Sequence, residues 1–425
     1  MVGLEGSELD EPLDVNRNHK WGDTNDDPSD DSNFSSDDDF QEYDDDCNGS
    51  NRRNEDYHNS TLNLNSDWGW LFEHAARGEL HGVIDAISKD KALVDCQTPD
   101  GHTLLMIACD RGHLAMVKYL VSQDADIDKQ NNFGNTALIC ACSKGHVSIA
   151  RYLMENDCKI TTRQRDGKTA LMIVSQIGHR ETCKLFVRTS IVSARNRSTK
   201  THGKTRSDTF DPSRAINIDM RDFDGKTSLI ISISQSHTII AKILLSSGAN
   251  ADIKDNRGWN ALIWAIIKRQ KSVASICLQC VRDIDVGDNE GTSPLMYACR
   301  YGMKDTYVEL IALGCDIDAR NIHGDSALHE ACKGRATENV KYMRDDLIKK
   351  GAKLNAYNKQ GKSALDFLPC ATEEERLESE TEKKRLGRLA KHVNFFWFLY
   401  YQFLTPRKRR DKEMETPMCG EINCL

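Results

Sequence analysis

Several tripeptides in this chain have the composition of a phosphate-binding loop. GKT or GKS, which ends such a loop in many nucleotide-binding proteins, occurs at 167, 203, 225 and 361. The loop also requires a glycine five residues earlier, and that position holds Thr162, Ser198, Met220 and Ala356. The backbone cradle for a phosphate is incomplete each time, so we expect no nucleotide site.

Histidine and cysteine, which hold metals and act in catalysis, also recur. Four histidines occupy equivalent positions of a repeat and lie too far apart along an extended array to form one site: His113, His146, His179 and His237. Cys277 and Cys280 form a CxxC pair without the second pair that a zinc site needs. We therefore predict a protein that is not an enzyme, with no catalytic, metal or cofactor-binding residue and no small-molecule substrate.

The elements that position these residues come from an internal repeat. A glycine recurs with a 33-residue spacing, interrupted once, at Gly101, Gly134, Gly167, Gly225, Gly258, Gly291 and Gly324. With this glycine as slot zero, slot four is Leu in all seven units and slot seven is Ala in five. Slot eight holds Cys109, Cys142, Cys299 and Cys332, which we interpret as small core residues. Each unit is predicted to be a tight turn, a short helix, a reversal and a second helix.

The repeated phrase resembles that of a known family. GHTLLMIACDRGH at 101, GNTALICACSKGH at 134 and GKTALMIVSQIGH at 167 are similar to the ankyrin repeat, G-x-T-P-L-H-x-A-A/C-x-x-G-H. The resemblance covers 67–370 and implies an all-α solenoid of about eight helix-turn-helix units with finger turns, starting near 67, 101, 134, 167, 225, 258, 291 and 324, with a partial unit at 361. The family's Pro is kept at Pro294 and its His at His329, which implies that apolar packing replaces its Thr–His hydrogen bond elsewhere.

The resemblance also implies a function, which is protein binding by an intracellular adaptor or scaffold through the concave face and the finger tips. The slots that vary in such arrays give the candidate partner-binding residues Arg111, Phe133, Phe223, Arg257, Trp259, Lys268, Arg300 and Tyr301. Trp, Tyr and Arg often carry interface energy, although Trp259 could instead stack on a neighbouring finger. The basic residues favour a partner protein with acidic or extended segments, and nucleic acid is a disfavoured partner.

Two segments lack the composition of a folded core. Residues 1–66 hold nineteen acidic residues against four basic ones, which predicts a disordered acidic tail. That tail could solubilise the chain, fold back on its basic remainder, or act as a switch phosphorylated at Ser35 and Ser36. A basic, Ser/Thr-rich insert at about 190–215 separates two units and is predicted to be a surface loop, either a linker or a docking loop.

The C-terminal region predicts a charged and then aromatic helix over 371–405, followed by a basic disordered tail over 406–425. Its apolar stripe could cap the array, bind a partner or lie on a membrane surface, since Arg407, Lys408, Arg409 and Arg410 follow directly. The alternative functions are thus a membrane-associated organiser tethered by this segment, or a nuclear cofactor or inhibitor using the basic run for import. With no apolar run at the N-terminus or of membrane-spanning length, we expect a cytoplasmic or nuclear protein that is neither secreted nor transmembrane.

Overall fold

The structure is a computed structural model that describes residues 68–199, 217–334, 337–368 and 373–403. For 190–199, 373–379 and 396–403 it describes the backbone alone. These residues contain seventeen α-helices, and their only extended pairings are two isolated bridges, Gln97 with Thr103 and Tyr357 with Ser363. The predicted all-α class is confirmed.

Sixteen of the helices form eight units of two. The first helices of the units are α1 Gly69–Arg77, α3 Leu104–Arg111, α5 Ala137–Ser143, α7 Ala170–Ile177, α9 Ser228–Ser234, α11 Ala261–Ile267, α13 Pro294–Tyr301 and α15 Ala327–Lys333. The second helices are α2 Leu80–Lys89, α4 Leu114–Ser122, α6 Val147–Glu155, α8 Arg180–Thr199, α10 Thr238–Ser246, α12 Lys271–Cys280, α14 Lys304–Ala312 and α16 Glu338–Lys349. First helices pack on first helices and second helices on second helices, so the array has two layers.

Slots two and eleven fix the ends of several first helices. The Thr103 hydroxyl accepts a hydrogen bond from the Met106 amide at 3.2 Å, and Asn260 and Ser293 cap their helices in the same way. The helix of Thr103 ends at Gly112, which has a φ of +82°. The slot-eight cysteines are buried between the helices, as expected.

The repeated histidines are structural, and they join neighbouring units. The His146 imidazole donates from Nε2 to the Asp110 carbonyl of the preceding unit at 3.1 Å, and its ring lies 2.6 Å from the point where a Cβ on Gly112 would be. His113 and His237 make the equivalent bond to the unit before them. These rings therefore fill the space that the left-handed glycine leaves open.

Two units depart from this pairing in a consistent way. Ser236 and Arg269 occupy the glycine position with φ values of +63° and +55°. The next unit then places Gln270 and Met303, rather than histidine, against them. Gln270 keeps the hydrogen bond, donating from Nε2 to the Ile233 carbonyl at 2.6 Å. In these two units a side chain is thus present at slot eleven and the imidazole is absent.

The fingers are joined by one backbone hydrogen bond per step. The amides of Asn132, Arg165, Phe223, Asn256, Asn289, Ile322 and Lys359 each donate to a carbonyl of the preceding finger at 2.7–3.3 Å. The Phe223 bond, to the Asp166 carbonyl at 3.3 Å, crosses the 58-residue gap between Gly167 and Gly225. The units on either side of the insert are therefore stacked as direct neighbours.

The structure corrects the expected loop at about 190–215 in its first part. Helix α8 continues to Thr199, ten residues into that segment. The sequence from Arg180 to His202 contains neither Gly nor Pro, and a helix satisfies its own backbone hydrogen bonds without tertiary burial. A composition that predicts little burial therefore does not by itself end a helix.

The last described elements complete the array. The partial unit at 361 forms a single 3₁₀ turn, Ala364–Phe367, and helix α17, Glu373–Phe403, packs against α16. Leu386 of α17 is fully buried in that contact region, as expected for a cap. Among the helices in the described ranges, none has both the length and the hydropathy needed to cross a bilayer.

Candidate protein-binding face

The centre of the candidate face is a carboxylate that holds two aromatic side chains. Oδ2 of Asp288, in a finger, accepts hydrogen bonds from the Tyr297 hydroxyl at 2.6 Å and from Trp259 Nε1 at 3.3 Å. Its Oδ1 accepts the Glu290 and Thr292 amides at 2.9 and 2.8 Å. Burial, with the hydrogen bond to Asp288, raises the pKa of Tyr297 well above its usual range. The phenol is therefore fixed as a hydrogen-bond donor.

A second finger carboxylate repeats this arrangement one unit earlier. Asp255 accepts the Trp264 indole Nε1 at 2.9 Å and also the Trp259 amide at 2.9 Å. The Trp259 ring meets the Trp264 ring edge to face at 5.1 Å and the Tyr297 ring at 6.3 Å. Tyr297 stacks on Tyr301, with interplanar angle 11°. We call Trp259, Trp264, Tyr297 and Tyr301 the aromatic cluster.

Cationic side chains lie over the rings of the aromatic cluster. Arg257 lies 5.1 Å from the Trp259 centroid, and Arg300 lies 5.8 Å from that of Tyr297. Lys226 approaches Trp264 at 5.6 Å. A cation above an aromatic face is held by the ring quadrupole, so these long side chains have restricted positions before any partner arrives.

Acidic side chains form ion pairs with two of the cations in this region. Arg300 Nε donates to Oε2 of Glu330 at 2.6 Å, and Lys333 Nζ donates to Oε1 at 3.0 Å. The Glu330 side chain is 0 % exposed. Lys333 also pairs with Asp325 at 2.5 Å. Arg300 and Lys333 thus face carboxylates that are buried.

The structure brings four of the eight candidate residues together. Arg257, Trp259, Arg300 and Tyr301 lie in or against the aromatic cluster, and Lys268 is the half-buried residue that ends α11. Phe133 is half-buried against the His102 ring, with centroids 6.2 Å apart. Phe223 is 68 % exposed at its finger tip and covers Gly167. Arg111 lies in the unit of Gly101, far along the array from the aromatic cluster, with its Nε 3.8 Å from the Asp110 carboxylate.

Trp259 shows one of the two roles that the sequence left open, stacking on neighbouring rings, and partner binding stays a prediction. It stacks on its neighbours, yet its side chain stays half-exposed. Arg300, a candidate partner-binding residue, is also a counterion of the buried Glu330, together with Lys333.

The other candidate sites fall outside the described residues. These are Ser35, Ser36, Arg407, Lys408, Arg409 and Arg410. Cys277 is buried, which raises its pKa to about 12, whereas Cys280 is exposed. In the part of the chain that the structure describes, no group of three or more His, Cys, Asp or Glu side chains could hold a metal ion.

Sequence reasoning missed the residues of slot six. Trp264, Tyr297, Glu330 and Phe367 occupy it in four successive units. Slot six lies three residues before slot nine, and helix residues three apart share a face. Applying that spacing to Arg300 would have added Tyr297 to the candidates.

Comparison with known proteins agrees with this architecture. The family described as ankyrin repeats (3 copies) matches residues 71–164, 157–255, 213–288, 229–321, 272–358 and 295–375. Among solved structures, the ankyrin repeat domain of Bcl-3, described as a unique member of the IkappaB protein family, matches with 24% identity and a TM-score of 0.45, over 58% of this chain and 99% of that chain.

A second solved structure is the complex of Bd0816, a predatory endopeptidase from Bdellovibrio bacteriovorus, with the immunity protein Bd3460. A chain of it matches with 22% identity and a TM-score of 0.39, over 49% of this chain and 96% of that chain. No curated protein matches the sequence significantly.

Proposed function

The chain belongs to the ankyrin-repeat family, and we propose that it is a non-enzymatic adaptor that binds an extended segment of a partner protein on the aromatic cluster. The observation that supports this most is the fixed geometry of Trp259, Tyr297 and Tyr301. The Asp288 carboxylate orients the rings of Trp259 and Tyr297, Tyr301 stacks on Tyr297, and Trp259 and Tyr301 keep exposed surface. Large aromatic side chains with a rigid setting are the usual source of interface energy.

The cost of binding is small at such a surface because little has to be ordered. The Tyr297 hydroxyl and the indoles of Trp259 and Trp264 already donate to Asp288 and Asp255. Arg257 already rests on Trp259. Side chains held in their bound positions lose little rotamer entropy on association, so a short partner segment can be bound there.

The partner chemistry follows from the cation that is exposed beside the aromatic cluster. Arg300 and Lys333 are matched by Glu330 and Asp325. Arg257 is exposed at the finger beside the cluster. A segment that places an apolar or aromatic residue on the cluster and an acidic residue near Arg257 fits this arrangement.

A matched pair of double variants tests the proposal in cells. Arg257→Ala with Tyr301→Ala removes one arginine and one tyrosine from the face. Arg282→Ala with Tyr342→Ala removes the same residue types elsewhere, since the Arg282 side chain is 93% exposed and Tyr342 lies on α16. Proximity labelling from each chain, quantified by mass spectrometry, should lose specific partners with the first variant alone.

The recovered partner is then titrated against purified full chains. We expect the affinity to fall by about tenfold or more for the first variant, which corresponds to about 1.4 kcal/mol. The control should bind like the wild type, and both variants should keep the wild-type urea midpoint. Equal partner recovery by the two variants would contradict the proposed face.

A further inference from the structure

Four of the second helices end after nine residues, and the chain then reverses. These are α4, α6, α10 and α14. After α4, the Asp126 amide donates to the Asp95 carboxylate in the loop of the preceding unit at 3.0 Å. The amides of Lys159, Asn250 and Asp316 make the equivalent bond after α6, α10 and α14 at 2.7–3.0 Å. Each of these reversals therefore packs on the loop of the unit before it.

Helix α8 does not reverse at the corresponding position. It has 20 residues, Arg180–Thr199, so its backbone stays helical well past Arg188, its ninth residue. A groove of about 450 Å³ lies beside this part of α8, between α8, α6 and the loop that follows α6. Its volume lies in the range of roughly 300–1,000 Å³ that is typical of binding pockets. We call this space the α6–α8 groove.

The floor of the α6–α8 groove is apolar. Cys158 and Leu185 are buried in it, and Val147, Met154 and Ile160 are half-buried. Half-buried apolar side chains lose their remaining contact with water when a second apolar surface covers them, which favours binding by about 25 cal/mol per Å². The floor therefore favours an occupant with apolar side chains.

The two walls of the groove are single helix faces. Val147, Arg151 and Met154 follow one another along α6 at intervals of four and three residues, and Leu185 and Arg188 on α8 are three apart. Residues at these intervals share one face of a helix. A groove between two such faces fits a third helix that is amphipathic, because its own apolar residues recur at the same intervals.

The rim of the groove carries one exposed arginine from each wall. These are Arg151 of α6 and Arg188 of α8. Among the residues that the structure describes, neither arginine forms an ion pair, whereas Lys184 pairs with Glu181 at 2.8 Å. Asp157 is the other acidic residue of the rim. The two arginines therefore favour an occupant that brings carboxylates of its own.

We propose that the α6–α8 groove binds an amphipathic helix of a partner protein, with acidic residues beside its apolar stripe. The apolar side chains contact Met154, Ile160 and Leu185, and the carboxylates pair with Arg151 and Arg188. The groove belongs to the layer of second helices, whereas the aromatic cluster is formed by first helices and fingers. This inference goes beyond the proposed function and does not depend on it.

Selection from random peptides displayed on phage tests the inference with the purified full chain. The peptides are about four helical turns long. The library is first depleted on the double variant Arg151→Glu with Arg188→Glu and is then selected on the wild type. We expect the enriched peptides to combine apolar residues at intervals of three and four with Asp or Glu. A proline at the centre of such a peptide should abolish binding, because proline breaks a helix.

A matched double variant shows whether the position of the arginines matters. Arg165→Glu with Arg282→Glu reverses two exposed arginines that do not line the groove. This control should bind an enriched peptide like the wild type. The affinity of Arg151→Glu with Arg188→Glu should be lower by about tenfold or more.

A second matched pair tests the apolar floor. Met154→Gln places an amide in the groove and should weaken peptide binding by about fivefold. Val121, on α4, occupies the same slot of its unit and is also half-buried, but it does not line the groove. Val121→Gln should therefore leave the affinity unchanged, and the urea midpoint of every variant shows whether the array stays folded.

Amide exchange with and without an enriched peptide locates the binding site. Protection should rise in α6 and α8 and stay constant in α11 and α13. Arg257→Ala with Tyr301→Ala, which alters the face of the proposed function, should bind the peptide like the wild type. A failure of the groove and a failure of the aromatic cluster are thereby told apart.

Four results would overturn the proposal. The first is that no acidic peptide distinguishes the wild type from Arg151→Glu with Arg188→Glu, and the second is an equal loss of affinity in the control with Arg165 and Arg282 reversed. The third is a wild-type oligomer, detected by light scattering, that the groove variant converts to monomer, since a second copy would then be the occupant. The fourth is peptide binding only after cleavage between Thr199 and Asn217, since the chain itself would then fill the groove.

Discussion

Replacing Gly112 by alanine should destabilise the array more than a left-handed backbone alone explains. A left-handed φ costs an L-residue about 1–2 kcal/mol, and Gly112 has a φ of +82°. The new Cβ would also lie 2.6 Å from the His146 ring, which must move. Movement weakens the hydrogen bond from His146 to the Asp110 carbonyl, worth about 1 kcal/mol. We therefore expect a loss of about 2–3 kcal/mol.

Gly302 provides the matched control for the backbone contribution. Its φ is +70°, and a Cβ there would meet Val340 Cγ2 at 3.5 Å, an ordinary contact. Gly302→Ala should therefore lose only the backbone contribution of about 1–2 kcal/mol. Adding His146→Ala to Gly112→Ala removes the ring that clashes, so the double variant should be more stable than the sum of the two single losses by about 1 kcal/mol.

Urea unfolding followed by circular dichroism measures these free energies. Because repeat arrays can unfold in parts, amide exchange in α3 and α4 should accompany the global measurement and show where protection is lost. Equal losses for Gly112→Ala and Gly302→Ala would refute the role given to the histidine, and so would additivity of the Gly112→Ala and His146→Ala losses.

Three further perturbations test the polar core and the thiols. Arg300→Ala should lower the free energy of unfolding in urea by about 2 kcal/mol, because it removes one of the two cations that pair with the fully buried Glu330. Lys333 remains as the other cation and limits the loss. A loss below about 0.5 kcal/mol would contradict this. Burial lowers the pKa of His329, so the unfolded chain binds more protons and stability should fall as the pH drops below about 6.5; His329→Asn should reduce that slope between pH 7 and pH 5, and an unchanged slope would count against it. Among the cysteines that the structure describes, Cys280 should be alkylated first in peptide mapping of the native protein, since it is exposed while the thiols of slot eight are buried; faster labelling of slot eight would show that the helices open.

The sequence predicted the features that each unit repeats. Leu105 and its equivalents and the cysteines of slot eight do the same task in each unit that carries them, so their spacing alone indicated their roles. The histidines followed for the same reason, although their packing on Gly112 and its equivalents appears only when neighbouring units are stacked.

The candidate face was less predictable because it depends on contacts between units. Asp288 belongs to one finger and Trp259 to the preceding one, and their hydrogen bond follows from the stacking of the two fingers. A buried Glu330 is equally hard to expect, since a lone carboxylate in a core slot is unfavourable until Arg300 supplies its charge from the neighbouring unit. The length of helix α8 was not predicted, because a composition that indicates little burial does not show whether a helix forms locally.

The stacking of units across the insert has a consequence for the chain as a polymer. The Phe223 amide donates a hydrogen bond to the Asp166 carbonyl, and the His237 imidazole donates one to the Gln176 carbonyl. These bonds form although an insert separates the two units in the sequence. The joint is held by surface complementarity, so a protease cut between Thr199 and Asn217 should yield two fragments that still elute together. The Phe223 and His237 contacts join the two parts of the array without involving the residues that link them in sequence. We therefore expect these contacts to persist when that linking sequence is lengthened or cut.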